Sequence, residues 1–306
     1  MLDLVTDLDS LAAAIAAVVG RTYRLTPLKV KCTYPVFKGE ANGAAPVFVK
    51  VGTREEWERT RDLLKAIGDC GFFSRLVTEE PIGFGGHAVF VMEWKEAKTV
   101  FPEDMTERQA ESLVAGCVKL GAALGQVRAG AGRGDRDGTG SSPEELFGII
   151  LQYVARHPVA GRLLKGLVSI PKAKRTYGVR PRAVCHGDFH AKNFGFVGDE
   201  FAAVYDFDKL TEGLGCSDLV NALCERFSCF HLSRAARCRL RDVTRRIVAC
   251  VPWPREDLAV ACNVVRLQFA ARRIRKYPDS AWVALDVLRR DRKIRGFLDG
   301  LERSGP

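Results

Sequence analysis

The apolar and polar positions fall into two textures along the chain. Asp9 to Val19 is an Ala-rich helical run, with Asp9 or Ser10 placed to cap its free N–H groups and Gly20 to end it. From Tyr23 the pattern becomes strand-like: Tyr23 to Cys32, Pro35 to Lys38, and the apolar run Val47 to Val51 behind the turn Glu40-Ala41-Asn42-Gly43. Asn42-Gly43 supplies the positive φ that a hairpin turn demands. Thr53 and Glu56 stand at capping-box spacing, and Trp57, Leu63, Leu64 and Ile67 recur at helical intervals, which predicts an amphipathic helix over about residues 54–68. Phe72 to Val77 and Ala88 to Glu93 read as two further strands, joined through Pro81 and the turn Gly83-Phe84-Gly85-Gly86.

After Lys95 the texture turns helical. Glu107 to Val127 is the clearest case, followed by a Gly-rich loop from Ala129 to Ser142, helical patterns from Pro143 to Leu167, and a basic loop from Lys172 to Arg182. Beyond residue 216 everything reads helical, with breaks at Pro252, Pro254 and Pro278. The expected organisation is α+β: a small sheet-bearing lobe over residues 1–95 and a larger, mainly helical lobe over 96–306, with no internal repeat.

Composition narrows the class. The 306 residues are 47% hydrophobic and 27% charged, a globular balance that excludes disordered and collagen-like chains. The longest early apolar run, Leu11 to Val19, is too short for a membrane span of about 20 residues. Asp3, Asp7 and Asp9 ahead of it are the wrong sign for a secretory leader, so the expected location is the cytoplasm. The ten cysteines include no CxxC pair and read as reduced, mostly buried thiols. The net charge of +10 sits at one end: residues 226–306 carry 19 Lys/Arg against 8 Asp/Glu. That basic tail suits an anionic partner, a membrane surface included, or is a solvated helix face. It offers no recognisable module for sequence-specific nucleic-acid binding.

One block carries chemistry. Within residues 184–208, Val184-Cys185-His186-Gly187-Asp188 leads through Phe189-His190-Ala191-Lys192 to Asn193, and the segments Phe194 to Val197 and Phe201 to Asp208 flank the turn Gly198-Asp199-Glu200. Antiparallel pairing brings Asn193 close to Asp206, with Asp188 on the loop entering the ribbon. One carboxylate to accept a hydroxyl proton, with an amide and a second carboxylate to hold Mg²⁺ on phosphates, is the equipment phosphoryl transfer needs.

Here the sequence resembles the protein-kinase-like superfamily, above all its aminoglycoside phosphotransferase and choline kinase branch, whose catalytic loop reads HGDxxxxN. His186-Gly187-Asp188 stands in register with Asn193, and Asp206-Phe207-Asp208 occupies the place of the metal-binding DFG-like motif. The resemblance implies a bilobal protein-kinase-like fold. It implies Asp188 as catalytic base, Asn193 and Asp206 as magnesium ligands, His186 as a buttress of the loop, and Asp218 as a helix-capping structural residue. His190 and Lys192 are candidates to face the acceptor or the γ-phosphate, and Asp208 to help hold metal or fix the loop. In the small lobe it implies that Lys50 holds the α and β phosphates of ATP and that adenine bonds to backbone in the hinge Met92-Glu93-Trp94-Lys95. Glu55, Glu56 and Glu58 are all candidates to pair with Lys50; Glu56, which shares a row with Thr60, Leu63 and Ile67, is preferred, and is equally a capping-box partner of Thr53.

The reading that follows is an ATP- and Mg²⁺-dependent phosphotransferase acting on a hydroxyl of a small molecule or glycan. Asp-Phe-Asp-Lys is also similar to kinases of the lipopolysaccharide core sugar Kdo, which with the basic tail brings an anionic sugar into view. The competing reading is a pseudokinase, a nucleotide-binding or scaffolding module without turnover, motivated by Lys31-Cys32-Thr33-Tyr34-Pro35-Val36, which lacks the glycine expected of a phosphate loop.

Overall fold

The computed structural model describes residues 7–29, 35–127, 143–159, 164, 183–207, 210–229 and 231–303. The loops expected at 129–142 and 172–182, most of the expected phosphate loop at 31–36, and Asp208 lie outside the described residues. The chain divides into two compact units, residues 1–97 and 98–306.

The first unit is a five-stranded antiparallel sheet with a helix on each face. Its elements are α1 (Leu8–Val19), β1 (Arg24–Lys29), β2 (Val36–Glu40), β3 (Val47–Gly52), α2 (Arg54–Ile67), β4 (Ile82–Phe84) and β5 (His87–Glu93), in sheet order β1-β2-β3-β5-β4. Alternation sorts the side chains: Val47, Val49, Val51, Val89 and Val91 pack with Leu11 and Ile15 of α1, while Ala88 and Phe90 pack with Trp57 of α2. Two expectations change here. The cap of α1 is Asp7, whose carboxylate accepts from Ser10 N at 3.1 Å, because the helix starts one residue earlier than the apolar run suggests. Phe72 to Val77 forms no strand: only Leu76 bridges Met92, and Val77 N donates to Val91 O at 2.8 Å. The segment runs along the β5 edge opposite Val91 to Glu93 with a single bridge, and the rest of that edge, His87 to Val89, pairs with β4, which the Gly83–Gly86 turn reading had hidden.

The second unit comprises α3 (Glu107–Leu124), α4 (Pro143–Arg156), β6 (Ala183–Cys185), β7 (Phe194–Val197), β8 (Glu200–Val204), β9 (Thr211–Gly213), α5 (Ser217–Ser228), α6 (Arg234–Cys250), α7 (Arg255–Lys276) and α8 (Val283–Arg303). Two small ribbons, β6 with β9 and β7 with β8, stand among these helices. Both pairings are antiparallel, and the first joins residues on either side of the second. One face of α3 carries the β7–β8 turn: Thr106 Oγ1 donates to Asp199, Gln109 Nε2 to Gly198 O, and Ser112 Oγ accepts from Phe201 N at 2.8 Å. Below them Gly116 admits the Phe201 ring, which a Cβ there would meet at 2.3 Å. A buried ion pair, Glu103 with Arg226, ties the turn before α3 to α5. No helix among the described residues is long and apolar enough to cross a membrane.

Candidate active site

The segment between β6 and β7 is a loop whose backbone is fixed by side chains. His186 is fully buried, and its Nε2 lies 2.7 Å from Tyr205 O, a contact in which the ring nitrogen must donate. That tautomer leaves Nδ1 to accept from Asp188 N at 3.4 Å. Asp218, in the first turn of α5, accepts from His186 N at 2.8 Å and Gly187 N at 3.1 Å, one bond per carboxylate oxygen. Gly187 sits at φ +77°, a conformation that admits glycine at little steric cost. One turn along α5, Asn221 Nδ2 donates to Phe189 O at 3.2 Å. The resemblance made Asp218 a helix cap, whereas its carboxylate serves the loop, and the N-cap of α5 is Cys216 without a side-chain cap bond.

Asp188 emerges from this frame with its side chain 13% exposed, and His190 Nε2 approaches Asp188 Oδ2 to 3.9 Å. Asn193 N bonds His190 O at 2.7 Å, and Asn193 Nδ2 donates to Asp188 O at 3.0 Å. Tyr205 N donates to Asn193 O at 2.8 Å, extending the β7–β8 ladder by one pair, so Asp206 follows directly on the residue opposite Asn193. Asp206 is exposed and has φ +62°, the one positive φ among the described non-glycine residues. Asp is among the few side chains that tolerate this region, and such backbones persist where function requires them. Lys192 is exposed on the same loop, its N–H directed at His190 Nδ1 at 3.3 Å.

Aromatic rings floor the loop. Phe189 stacks on Phe194 at 4.8 Å, Phe207 lies 4.9 Å from the His186 ring, and Phe201 closes the cluster. Burial pushes the Asp218 carboxyl up from its ordinary value, against the pull of His186 and the two backbone N–H groups. Among the described residues no three His, Cys, Asp or Glu side chains group closely enough to form a metal cage. The hard oxygens of Asn193 and Asp206 fit instead a Mg²⁺ ion whose remaining ligands are phosphate and water.

In the first unit Lys50 stands mid-strand, paired with Val36 on one side and Phe90 on the other, its Nζ 5.7 Å from the centre of the Phe90 ring. Glu56 completes a capping box: its Oε2 accepts from Thr53 N at 2.9 Å, and its own N–H bonds Thr53 Oγ1 at 3.1 Å. In the Met92–Lys95 segment, Glu93 N is engaged by Arg75 O and Trp94 N by Pro46 O, Lys95 Nζ reaches Gly71 O, and Lys38 Nζ lies over the Trp94 ring.

Asn221 and the true task of Asp218 escape a linear reading. The available signal was their spacing of three on the helix after the hairpin, which puts both on one face.

The fold is the α+β, two-lobed type of the protein-kinase-like enzymes. A family model described as APH, the phosphotransferase enzyme family, matches residues 38–245, and the chain belongs to that family of phosphotransferases. Among curated protein sequences none matches it. The chain is similar to an APH(4)-Ia aminoglycoside phosphotransferase, a thermostable mutant in ternary complex with ADP and hygromycin B, with 14% identity and TM-score 0.61 over 94% of this chain and 98% of that one. It is similar also to the amicoumacin kinase hAmiN in complex with AMP-PNP, Ca²⁺ and Ami, at 14% identity and TM-score 0.59, covering 96% and 94%. A third is the macrolide 2′-phosphotransferase MphH from Brachybacterium faecium, at 15% identity and TM-score 0.57, covering 93% and 97%.

Proposed function

We propose that the protein is an ATP- and Mg²⁺-dependent phosphotransferase that moves the γ-phosphate of ATP to a hydroxyl of a small molecule or glycan, with acidic sugars among the acceptors. The observation that carries this reading is the convergence of Asp188, Asn193 and Asp206 at one end of the β7–β8 ribbon in a chain of the phosphotransferase family. Two of the similar structures hold an adenine nucleotide beside a small-molecule acceptor.

In this reading Asp188 orients the acceptor hydroxyl and takes its proton as the new oxygen–phosphorus bond forms. The bond from the γ-phosphorus to the β–γ bridging oxygen breaks, and ADP leaves with that electron pair. Asn193 and Asp206 hold the magnesium ion, which when bound neutralises the phosphate oxygens. Lys50 takes the α and β phosphates, and the backbone of Met92 to Lys95 takes adenine. His186 touches neither substrate; it fixes Asp188 N and Tyr205 O, the two ends of the site.

The test is a thermal-unfolding series with ATP, with and without Mg²⁺, on the wild type and on Asp206→Ala, followed by ATP turnover in Asp188→Asn. Ligand at about 100 times its dissociation constant adds about 2.7 kcal/mol, so a shift of several degrees is expected with Mg²⁺ and its loss in Asp206→Ala. Asp188→Asn should lower turnover by about 10²- to 10⁴-fold with the fold intact. Absence of any nucleotide-dependent shift would remove the reading.

A further inference from the structure

Two arginines of α7 are held by carboxylates. Arg266 is held by Asp291 through Nε at 2.6 Å and Nη2 at 3.1 Å, and by Asn263 through Nη1 at 2.6 Å. Arg273 Nε donates to Asp286 at 2.6 Å. Arg272, between these two along the helix, has its Nε buried with no hydrogen-bond partner among the described residues. Arg272 as a whole is half-buried, but a covered donor left unmet is costly, and an anion that completes it is one of the explanations such a group calls for.

The surroundings of Arg272 say which ligand. Burial lowers its basicity, while the Asp188 and Glu225 carboxylates, acting through space, raise it. Arg272 is therefore within electrostatic reach of the candidate catalytic base. Glu225 continues the α5 face that begins with Asp218 and Asn221, at spacings of three and four. Those two residues hold the loop, and α7 packs along α5. The groups offered to Mg²⁺ and phosphates, Asn193 and Asp206, belong instead to the β7–β8 ribbon. The ribbon thus carries the groups offered to metal, and the packed helices α5 and α7 carry Glu225 and Arg272.

We propose that Arg272 binds an anionic group, carboxylate or phosphate, on the acceptor, so that the hydroxyl phosphorylated at Asp188 belongs to a small acidic molecule. This rests on the phosphotransferase reading of the loop and names its acceptor class. The planar guanidinium fork matches either anion in two parallel bonds, which an ammonium cannot do. Glu225 balances the cation when the site is empty and offers an acceptor for a second hydroxyl of the same molecule.

The experiment measures phosphate transfer with Mg²⁺ and ATP to glucuronate, gluconate, glycerate and glucose 6-phosphate, beside glucose, glycerol and the cationic hygromycin B. The same panel is run on Arg272→Gln and Arg272→Lys. An acid should be preferred over its neutral counterpart, with the carboxylate and phosphate arms showing which anion fits. Arg272→Gln should cost about 10- to 100-fold in kcat/KM for that acid, mostly through KM for the acceptor, and bring the acid-to-neutral ratio towards one. Arg272→Lys should recover part of it. Equal or better use of neutral or cationic compounds by the wild type overturns the proposal, whatever the variants do. So does an Arg272→Gln loss shared equally by all acceptors, which would make the arginine a positioning residue for Asp188. Failure to use any acid while the Asp206-dependent shift with Mg²⁺ and ATP is present also overturns it. Absence of that shift is the different result, in which the phosphotransferase reading itself fails.

Discussion

The two units hold their candidate functional groups by opposite means. Lys50 rides on the middle of a five-stranded sheet, where ladder bonds and the apolar faces above and below fix the backbone, with no buried polar side chain among the described residues of that unit. Asp188 sits on a loop with no ladder of its own, and its backbone is aligned by the buried groups Asp218 and His186 and by the half-buried Asn221. A strand can lose one contact and stay in register, since its neighbours repeat the same information. A loop held by single polar anchors cannot. The base should therefore be the more fragile of the two placements, and its fragility should lie in residues that never touch substrate.

Asp218→Ala is the most direct way to break that contrast. It strips the buried His186 N–H and the part-buried Gly187 N–H of their partner, at about 1–3 kcal/mol each. The expected result is a loss of about 2–5 kcal/mol in chemical denaturation together with loss of turnover. Asp218→Asn keeps one acceptor oxygen and should lose less. The pair also has a pH signature. Because burial raises the folded carboxyl above its unfolded value, its contribution to stability is fully present below the unfolded value and is lost as pH rises through the folded one. The advantage of wild type over Asp218→Asn should shrink over that climb, as read by denaturation midpoints at a series of pH values. An advantage that grew with pH would mean that the backbone donors outweigh burial.

The ribbon beneath the loop is held by packing, and it sharpens the comparison from the other side. Gly116 lets the Phe201 ring into the surface of α3, and a Cβ at that position meets the ring at 2.3 Å, while Gly121 one turn further on has nothing within 4 Å. Alanine adds about 1 kcal/mol of helix preference at either position. At Gly121 that gain should appear undiminished as a raised Tm. At Gly116 the overlap costs about 1–3 kcal/mol, so Gly116→Ala should come out neutral to destabilising by about 2 kcal/mol. A raised Tm in both variants would mean that the hairpin shifts freely on α3.

How much of this could be read from the chain depends on the range of each contact. His186, Asp188, Asn193 and Asp206 lie within 21 residues of one another, and their meeting needs only a tight loop and a hairpin, so their grouping was legible from spacing and strand pattern. The sheet of the first unit was legible from alternation, except along the outer edge of β5: Phe72–Val77 has the apolar content of a strand but makes one bridge there, and the three-residue β4 pairs with the rest. The β6–β9 pairing was illegible, since strands of three residues carry no periodicity. The hold of Asp218 on a backbone 32 residues away, and the packing of α7, which carries Arg272, along α5, are tertiary facts. In the sequence Arg272 is one arginine of a basic tail. A half-buried position and a covered Nε separate it from Arg275, which is exposed three residues later.

The smallest expected effect concerns the one acidic residue of the first unit that had two readings. Glu56 lies in the capping box of α2, and its Oε2 would be only 2.6 Å from a Cβ at Gly52, so the carboxylate is packed against the strand end as well as bonded to Thr53 N. If the cap is its whole task, geometry matters and charge does not. Glu56→Gln retains an oxygen able to reach the same N–H, as glutamine does in other capping boxes, and should stay within a few tenths of a kcal/mol of wild type. Thr53→Ala removes the reciprocal bond and should cost about 1 kcal/mol. Neither change should alter the apparent affinity for ATP. A weakened ATP affinity in Glu56→Gln with unchanged stability would show that the charge itself is used, and its partner would then be Lys50. In that case the first unit would also depend on a single polar anchor, and the contrast between the two units would be one of degree.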